Sequence, residues 1–111
     1  MLTVYGIPNC DTIKKTLTWL KENQLDYQFH DYKKEGITIE KLEDWASQIE
    51  WTKLLNTAGT TFKKMDEAQK AAIKDADSAI VFMKANPSAI KRPIIERNDQ
   101  IIKIGWKPEG L

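Results

Sequence analysis

The distribution of apolar and polar residues divides the chain into short strands and amphipathic helices. Residues 2–5 are rich in β-forming side chains and stop at Gly6, and from Asp11 to Asn23 apolar residues recur at helical spacing. Residues 27–32 alternate aromatic and polar side chains, which predicts a second strand. A strand, a helix and a strand in this order predict a parallel pair with a right-handed crossover.

The middle of the chain is predicted to be mainly helical. Its segments, in order, are a polar loop at 33–38, a helix beginning at Thr38 or Ile39, a short turn at 51–55, a loop at 56–61, and helices at 66–75 and 77–86. Asp77 is the predicted N-cap of the last of these helices, because aspartate at that position accepts backbone N–H groups. Pro87 is predicted to end it.

Two β-like runs, at residues 94–97 and 101–104, flank Asn98-Asp99, which is a two-residue hairpin signal. The complete order is β-α-β, a helical insertion at about residues 39–90, and a β-β hairpin. This order is the thioredoxin-like pattern. We therefore expect a single α/β domain over residues 1–111, with a small mixed sheet flanked by helices.

Composition is that of an ordinary globular protein, with 41% hydrophobic and 30% charged residues. The 17 basic and 16 acidic residues leave a net charge of +1, which provides no field for nucleic acid or an anionic membrane. The longest apolar run, residues 79–83, is far shorter than the ~20 residues that span a bilayer. The N-terminal segment lacks the features of a signal peptide. We expect a cytoplasmic monomer that binds neither nucleic acid directly nor a membrane.

Chemistry is expected at Cys10, which lies between the first predicted strand and the first helix. One cysteine and one histidine exclude an internal disulfide and a self-contained zinc site, so we expect no bound metal. Unpaired N–H groups and the positive end of the helix dipole favour a thiolate there. The alternative is a buried, inert thiol.

The second candidate is Lys91-Arg92-Pro93, at the start of the third predicted strand. In a thioredoxin-like layout this segment lies beside the helix start that carries Cys10. Arg92 would then stabilise a thiolate or hold an oxyanion through two hydrogen bonds. The alternative is a surface arginine before an edge strand.

Residues 9–15 (Asn-Cys-Asp-Thr-Ile-Lys-Lys), together with Lys91-Arg92-Pro93, resemble the ArsC/Spx family, the arsenate reductase-like branch of the thioredoxin fold. Three further segments resemble its YffB-like subgroup: His30-Asp31-Tyr32, residues 55–61 and residues 76–79. The likeness runs from Leu2 to about Lys107. It implies a catalytic cysteine at Cys10, an anion- or thiolate-binding Arg92 and a cis bond before Pro93. The substrate-binding positions expected around them are Asn9, Thr12, Lys14 and Pro93.

The resemblance also implies a thiol reductase that uses glutathione as its thiol co-substrate and binds no cofactor. A second cysteine is absent from the sequence, so oxidised Cys10 must be restored by a thiol from outside the chain. Thr12 and Lys14 have alternative roles, a helix turn and a solvated surface respectively. Family members continue into a terminal helix, and Pro108–Leu111 look like its first turn.

Several positions depart from the family pattern. Arsenate reductases of the ArsC type surround the oxyanion with three arginines, whereas this chain has Asn56 at the first position and glycine near the third, at Gly105. Close YffB-like relatives often carry an arginine where this chain has Ala58. Spx-type regulators carry a Cys-x-x-Cys switch, and its second position is Ile13 here. We therefore place a thiol reductase first, an Spx-like regulator that binds RNA polymerase second, and an arsenate reductase third.

Overall fold

The computed structural model describes residues 1–106, so the helical turn expected at Pro108–Leu111 lies outside the described residues. The chain forms two compact units: unit 1 is Met1–Glu35 with the chain from Arg92 on, and unit 2 is Gly36–Lys91. The elements of unit 1 are β1 (Leu2–Gly6), α1 (Asp11–Glu22), β2 (Tyr27–Asp31), α2 (Tyr32–Glu35), β3 (Ile94–Arg97) and β4 (Gln100–Ile104). Those of unit 2 are α3 (Ile39–Gln48), α4 (Trp51–Leu54), α5 (Thr60–Lys63), α6 (Glu67–Ala72), α7 (Ala76–Ala85) and a 3-10 turn (Pro87–Ala89).

Unit 1 contains a mixed sheet of four strands in the order β2-β1-β3-β4. β1 pairs in parallel with β2 and antiparallel with β3, and β3 pairs antiparallel with β4. Asn98 and Asp99 have φ angles of 53° and 65°, the left-handed values that a type I′ hairpin turn requires. The predicted parallel pair, hairpin and mixed sheet are therefore confirmed.

Alternation along the strands gives the sheet two different faces. Leu2 and Val4 of β1 pack with Leu20 of α1 and Ile95 of β3 in an apolar core. Burial of each such side chain stabilises the fold by about 1.5–3 kcal/mol. Thr3 and Tyr5 alternate with Leu2 and Val4 along β1, so their side chains lie on the opposite face of the sheet.

The start of α1 lies close against the end of β1. Ile13 is fully buried, and a Cβ atom at Gly6 would overlap its Cδ1 atom. Glycine at this position therefore lets the helix begin directly after the short loop 7–10. Cys10, the last residue of that loop, is held beside the end of the strand.

The helices of unit 2 bury a set of apolar side chains. α3 packs against α7 and α4. Leu55 and Ile90 form an isolated antiparallel bridge, and the Lys91 N–H donates to the Leu54 carbonyl at 2.8 Å. The buried apolar residues of this unit are Ile37, Leu42, Trp45, Leu54, Leu55, Ala79, Ile80, Met83, Ala89 and Ile90.

Two predicted loops are wrong in part. The segment predicted as a loop from 33 forms one helical turn, α2, because an Asp31 carboxylate oxygen accepts the Lys33 N–H at 2.9 Å. The loop predicted at 56–61 turns into α5 at Thr60. There the Thr61 and Ser88 hydroxyls form a hydrogen bond of 2.9 Å, a contact between residues far apart in sequence.

The predicted N-cap of α7 is also wrong. Asp75, not Asp77, caps the helix: its carboxylate accepts the Ser78 N–H at 2.9 Å and the Ser78 hydroxyl at 2.7 Å. Asp75 caps the helix because Ser78, three residues later, completes a capping box with it. Asp77 has no serine at the corresponding position. The preceding helix ends at Ala72, earlier than predicted.

We predict that Asp75→Ala lowers the melting temperature more than Asp77→Ala, since only Asp75 bonds the helix end. The Ser78 N–H and hydroxyl lower the pKa of the Asp75 carboxyl below its usual range. A lowered folded-state pKa means that the stabilisation is present above the unfolded value and is lost as pH falls through the folded value. Thermal unfolding followed by circular dichroism should therefore show a difference between Asp75→Ala and wild type that shrinks in strong acid. Equal effects of the two substitutions would contradict the assignment.

Candidate functional site

One edge of the sheet in unit 1 collects the ends of all its strands. Gly6, the end of β1, pairs with Asp31, the end of β2. β3 runs the opposite way, so its first residue, Ile94, pairs with Tyr5 and with Ile104, the last residue of β4. The residues just beyond these strand ends therefore lie at this edge, which we call the Cys10 edge: Cys10, Tyr32, Arg92, Pro93 and Gly105.

Cys10 is the N-cap residue of α1 and has a free, half-buried thiol. Its backbone is extended, with φ −121° and ψ 126°, and its carbonyl accepts the Lys14 N–H at 3.0 Å. Its side chain forms no capping hydrogen bond. The first N–H groups of a helix lack intrahelical acceptors and, with the helix dipole, favour an anion. The sulfur of Cys10 therefore lies at the N-terminus of α1 and does not cap the helix.

The Arg92–Pro93 peptide bond is cis, which confirms that expectation. Pro93 is buried, and its carbonyl accepts the Gly105 N–H at 2.8 Å. Arg92 is half-buried. β3 and β4 together therefore hold this dipeptide at the Cys10 edge.

Asn56 and Gly105, the residues at two of the family's arginine positions, both take part in backbone turns. Gly105 has a φ of 82°, a left-handed conformation that strains any other residue. In unit 2, the Asn56 N–H donates to the Ala89 carbonyl at 2.7 Å, and the Asn56 side chain accepts the Ala58 N–H at 3.2 Å. Asn56 and Gly105 each take part in a local backbone turn of their own unit.

The remaining predicted site residues flank Cys10 along the chain. Asn9 and Lys14 are exposed, and Thr12 is half-buried. The Thr12 carbonyl accepts the Thr16 hydroxyl at 2.7 Å within α1. Substrate binding by Asn9, Thr12, Lys14 and Pro93 stays a prediction, as do the catalytic roles of Cys10 and Arg92.

The sequence did not predict the polar cluster that Tyr5, His30, Tyr32 and Glu96 form on the sheet face opposite α1. The Tyr5 hydroxyl donates to the Glu96 carboxylate at 2.8 Å, and Glu96 is only 2% exposed. The Tyr5 ring lies 4.7 Å from the His30 ring and 6.2 Å from the Tyr32 ring. The available signal was the alternation of the strands, which places Tyr5, His30 and Glu96 on one face.

Burial and the Glu96 hydrogen bond raise the pKa of Tyr5 well above its usual value of about 10. Burial also raises the pKa of Tyr32; nearby Tyr5 and Glu96 act in the same direction, and Arg92 acts in the opposite one. Both phenols are therefore protonated at neutral pH. Tyr5 therefore remains a hydrogen-bond donor to Glu96 at neutral pH.

Residues 1–106 contain no group of three or more histidine, cysteine, aspartate or glutamate side chains placed to hold a metal ion. Within the same range, every helix is too short or too polar to cross a bilayer.

Comparisons with known families, sequences and structures all point to the same family. The model of the ArsC family matches residues 5–111. The solved structure of the protein YffB is 49% identical with a TM-score of 0.89, over 97% of this chain and 93% of that chain. An arsenate reductase (ArsC) related protein from Brucella melitensis is 48% identical with a TM-score of 0.81, over 96% and 88%. The global transcriptional regulator Spx from Staphylococcus epidermidis is 24% identical over 100% of this chain and 84% of its own length.

We predict that Tyr5→Phe lowers the free energy of unfolding by about 1–3 kcal/mol, because the buried Glu96 carboxylate loses a hydrogen-bond donor. Urea unfolding at neutral pH measures the change. The matched control is Tyr27→Phe, which removes a hydroxyl from a half-buried ring packed on the α1 face. A loss in the control as large as in Tyr5→Phe would contradict the role of the Tyr5–Glu96 hydrogen bond.

Proposed function

Because this chain belongs to the ArsC family, we propose that it is a glutathione-dependent thiol reductase whose one catalytic cysteine is Cys10. The observation that carries the proposal is the position of the thiol. It is free and half-exposed at the N-terminus of α1, which follows β1 after a short loop, and Arg92 and the cis Pro93 come directly before β3, the antiparallel neighbour of β1. The fold and family agree with thiol chemistry at this edge.

In the first step the Cys10 thiolate attacks the glutathione sulfur of a glutathionylated substrate. A bond forms between the two sulfurs, and the disulfide bond of the substrate breaks. The substrate leaves as a thiolate, which takes a proton from solvent. Cys10 is then joined to glutathione in a mixed disulfide.

In the second step a second glutathione, as its thiolate, attacks the glutathione sulfur of this mixed disulfide. Oxidised glutathione leaves, and the Cys10 thiolate is regenerated. The external thiol is required because Ile13, fully buried against the sheet, occupies the position of a resolving cysteine. The balance is one substrate disulfide reduced for one oxidised glutathione formed.

Arg92 supplies positive charge in both steps. Its guanidinium stabilises the leaving or attacking thiolate, or holds a carboxylate of glutathione through two hydrogen bonds. Lys14, exposed one turn after Cys10, adds to the positive potential. Asn9, Thr12 and Pro93 complete the proposed binding surface.

We predict that Cys10→Ser reduces turnover of a glutathionylated peptide by glutathione to the uncatalysed rate. Arg92→Ala should lower kcat/KM about 10- to 100-fold, since a charge-assisted hydrogen bond contributes about 1.5–3 kcal/mol. The control is Arg97→Ala, because Arg97 is exposed at the other end of β3, opposite Leu2. Release of oxidised glutathione, coupled to glutathione reductase, measures the rate.

Equal rates for wild type and Cys10→Ser would rule out the reductase. Equal losses in Arg92→Ala and Arg97→Ala would assign the effect to net charge rather than to a bound anion.

The second candidate function is a regulator that binds RNA polymerase, favoured by the likeness to Spx over the full length of the chain. With Ile13 in place of a second cysteine, such binding would not respond to an internal disulfide. We predict that alkylation of Cys10 abolishes reductase turnover. Capture of the polymerase α-subunit by alkylated protein, with no turnover by the unmodified protein, would favour the regulator instead.

Arsenate reduction is the third candidate, supported by the description of the Brucella relative. Asn56 and Gly105 provide no cationic hydrogen bonds, each of which would contribute about 1.5–3 kcal/mol to holding the oxyanion. We therefore propose that arsenate is at most a poor substrate.

A further inference from the structure

An open groove lies in unit 1 between α1 and the chain just beyond β4, with a volume of about 320 Å³. The residues that line it are Lys14, Lys15, Thr18, Trp19, Glu22 and Trp106. Trp106 is 44% exposed, although tryptophan side chains are on average well buried. Contiguous exposed apolar surface with polar groups around it commonly marks a binding site.

Both tryptophans of the groove are attached to anchored parts of unit 1. The partly buried Trp19 packs against the apolar core around Val4. Trp106 directly follows Gly105, whose N–H donates to the Pro93 carbonyl at 2.8 Å. A ligand would therefore meet two indole rings that the fold already brings to the same groove.

The charges of the groove favour a ligand with one or two carboxylates. Lys14 and Lys15 are exposed and outnumber Glu22, the one acidic residue in the lining. Asp11 lies one helical turn before Lys15 and limits the positive field further. A nucleic acid backbone is held by longer series of cations than this pair. An acidic peptide therefore fits the groove better than a polyphosphate.

Helical spacing relates the groove to Cys10, the N-cap residue of α1. A rise of 1.5 Å per residue puts Lys14 and Lys15 about 6–7.5 Å, and Trp19 about 13.5 Å, along the helix axis from Cys10. An extended peptide covers these distances in about two and about four residues. Side chains two and four residues away along an extended chain point to the same side as the first.

We propose that this groove binds the polypeptide of a glutathionylated protein substrate. A carboxylate two residues from the modified cysteine contacts Lys14 and Lys15, and an aromatic side chain four residues from it packs on Trp19 and Trp106. This inference rests on the proposed function, because it takes Cys10 as the residue that attacks the glutathione sulfur. Aromatic rings gain from packing on one another beyond the area that they bury, so the indoles select an aromatic side chain.

The test compares kcat/KM for glutathionylated pentapeptides that carry the modified cysteine at one end. Cys-Ala-Glu-Ala-Phe and the reversed Phe-Ala-Glu-Ala-Cys cover both chain directions, because helical spacing specifies distance and not direction. The matched control is Cys-Glu-Ala-Phe-Ala, with its own reversal, which has the same composition with both side chains on the other face. In at least one direction the control should be turned over with a kcat/KM about 5- to 20-fold lower.

Substitutions in the groove should remove each preference separately. Trp106→Ala should abolish the preference for phenylalanine over alanine at the fourth position. Lys15→Glu should abolish the preference for glutamate over lysine at the second, which we expect to be about 2- to 5-fold for exposed charges. Lys53→Glu, an equal change of charge at an exposed position of unit 2, should retain both preferences. Each rate is divided by that of the same variant on the mixed disulfide of glutathione and 2-mercaptoethanol, which is too short to reach the groove.

A second readout is independent of turnover. In Cys10→Ser protein, nuclear magnetic resonance follows the indole N–H signals while glutathionylated Cys-Ala-Glu-Ala-Phe or its reversal is added. The signals of Trp19 and Trp106 should move, and that of the fully buried Trp45 should not. The same peptide should leave the Trp19 signal in place when Trp106→Ala is added.

Failure of the inference and failure of the reductase give different results. Absence of Cys10-dependent turnover, with the movement of the Trp19 and Trp106 signals retained, would refute the reductase and keep the peptide groove. Equal kcat/KM for the spaced and control peptides in both directions, or unmoved signals of both tryptophans, would overturn the inference. So would a single-stranded oligonucleotide that moves these signals at lower concentration than the peptide. A dimer in sedimentation experiments that Trp106→Ala dissociates would overturn it too, since a second copy would then occupy the groove.

Discussion

Backbone pairing of β1 with β2 on one side and β3 on the other determines which strand ends meet at the Cys10 edge. Parallel β1 and β2 both end at the Cys10 edge, at Gly6 and Asp31, and antiparallel β3 begins there at Ile94. A change of register by one residue would turn each strand's side chains to the other face. Loop 7–10, the start of α2 and the Arg92–Pro93 dipeptide could not then lie together. The chemistry proposed for Cys10 therefore depends on hydrogen bonds that involve none of the site residues.

The two faces of this sheet have different physical roles. The face toward α1 is apolar: Val4, Leu20 and Ile95 are fully buried there, and their burial stabilises unit 1. The opposite face carries Tyr5 and Glu96, which satisfy one another in a buried hydrogen bond. Such a buried polar pair contributes less to stability than apolar packing, but it orients its members strictly. A sheet built this way can hold polar groups in place near a reactive edge while its other face supplies the stability.

The departures from the arsenate reductase and Spx patterns narrow the chemistry available to this member of the ArsC family. Gly105 is required in a left-handed conformation beside Pro93, so an arginine cannot be introduced there without strain. Ile13 is packed into the core below Gly6, so a second thiol at that position would remove apolar contacts. The proposed reaction accordingly uses one thiol, one arginine at the same edge and a small thiol from solution as the second reactant.

The sequence alone determined the parts of this protein that depend on local physics. Alternating and helical periodicity predicted β1, α1, β2 and α3, because each buries one regular set of apolar side chains. Asn98-Asp99 predicted the hairpin, because few residues accept its left-handed angles. The motif around Cys10 and Arg92 indicated the family. The N-cap of α7 was wrongly assigned to Asp77 because two aspartates lie two residues apart. The partner serine, Ser78, identifies Asp75 as the cap.

The tertiary structure decided what depends on residues distant in the chain. The pairing of Tyr5 with Glu96 spans 91 positions, and no pattern within either strand specifies it. The unsatisfied hydroxyl of Tyr32 becomes visible only when the surrounding elements bury it. Cys10 could be chosen from the sequence because a lone thiol at a helix start is a local feature. Arg92 and Pro93 were expected beside it from the order of the elements, whereas Tyr32 was not, because strand register brings it to this edge from a separate part of the chain.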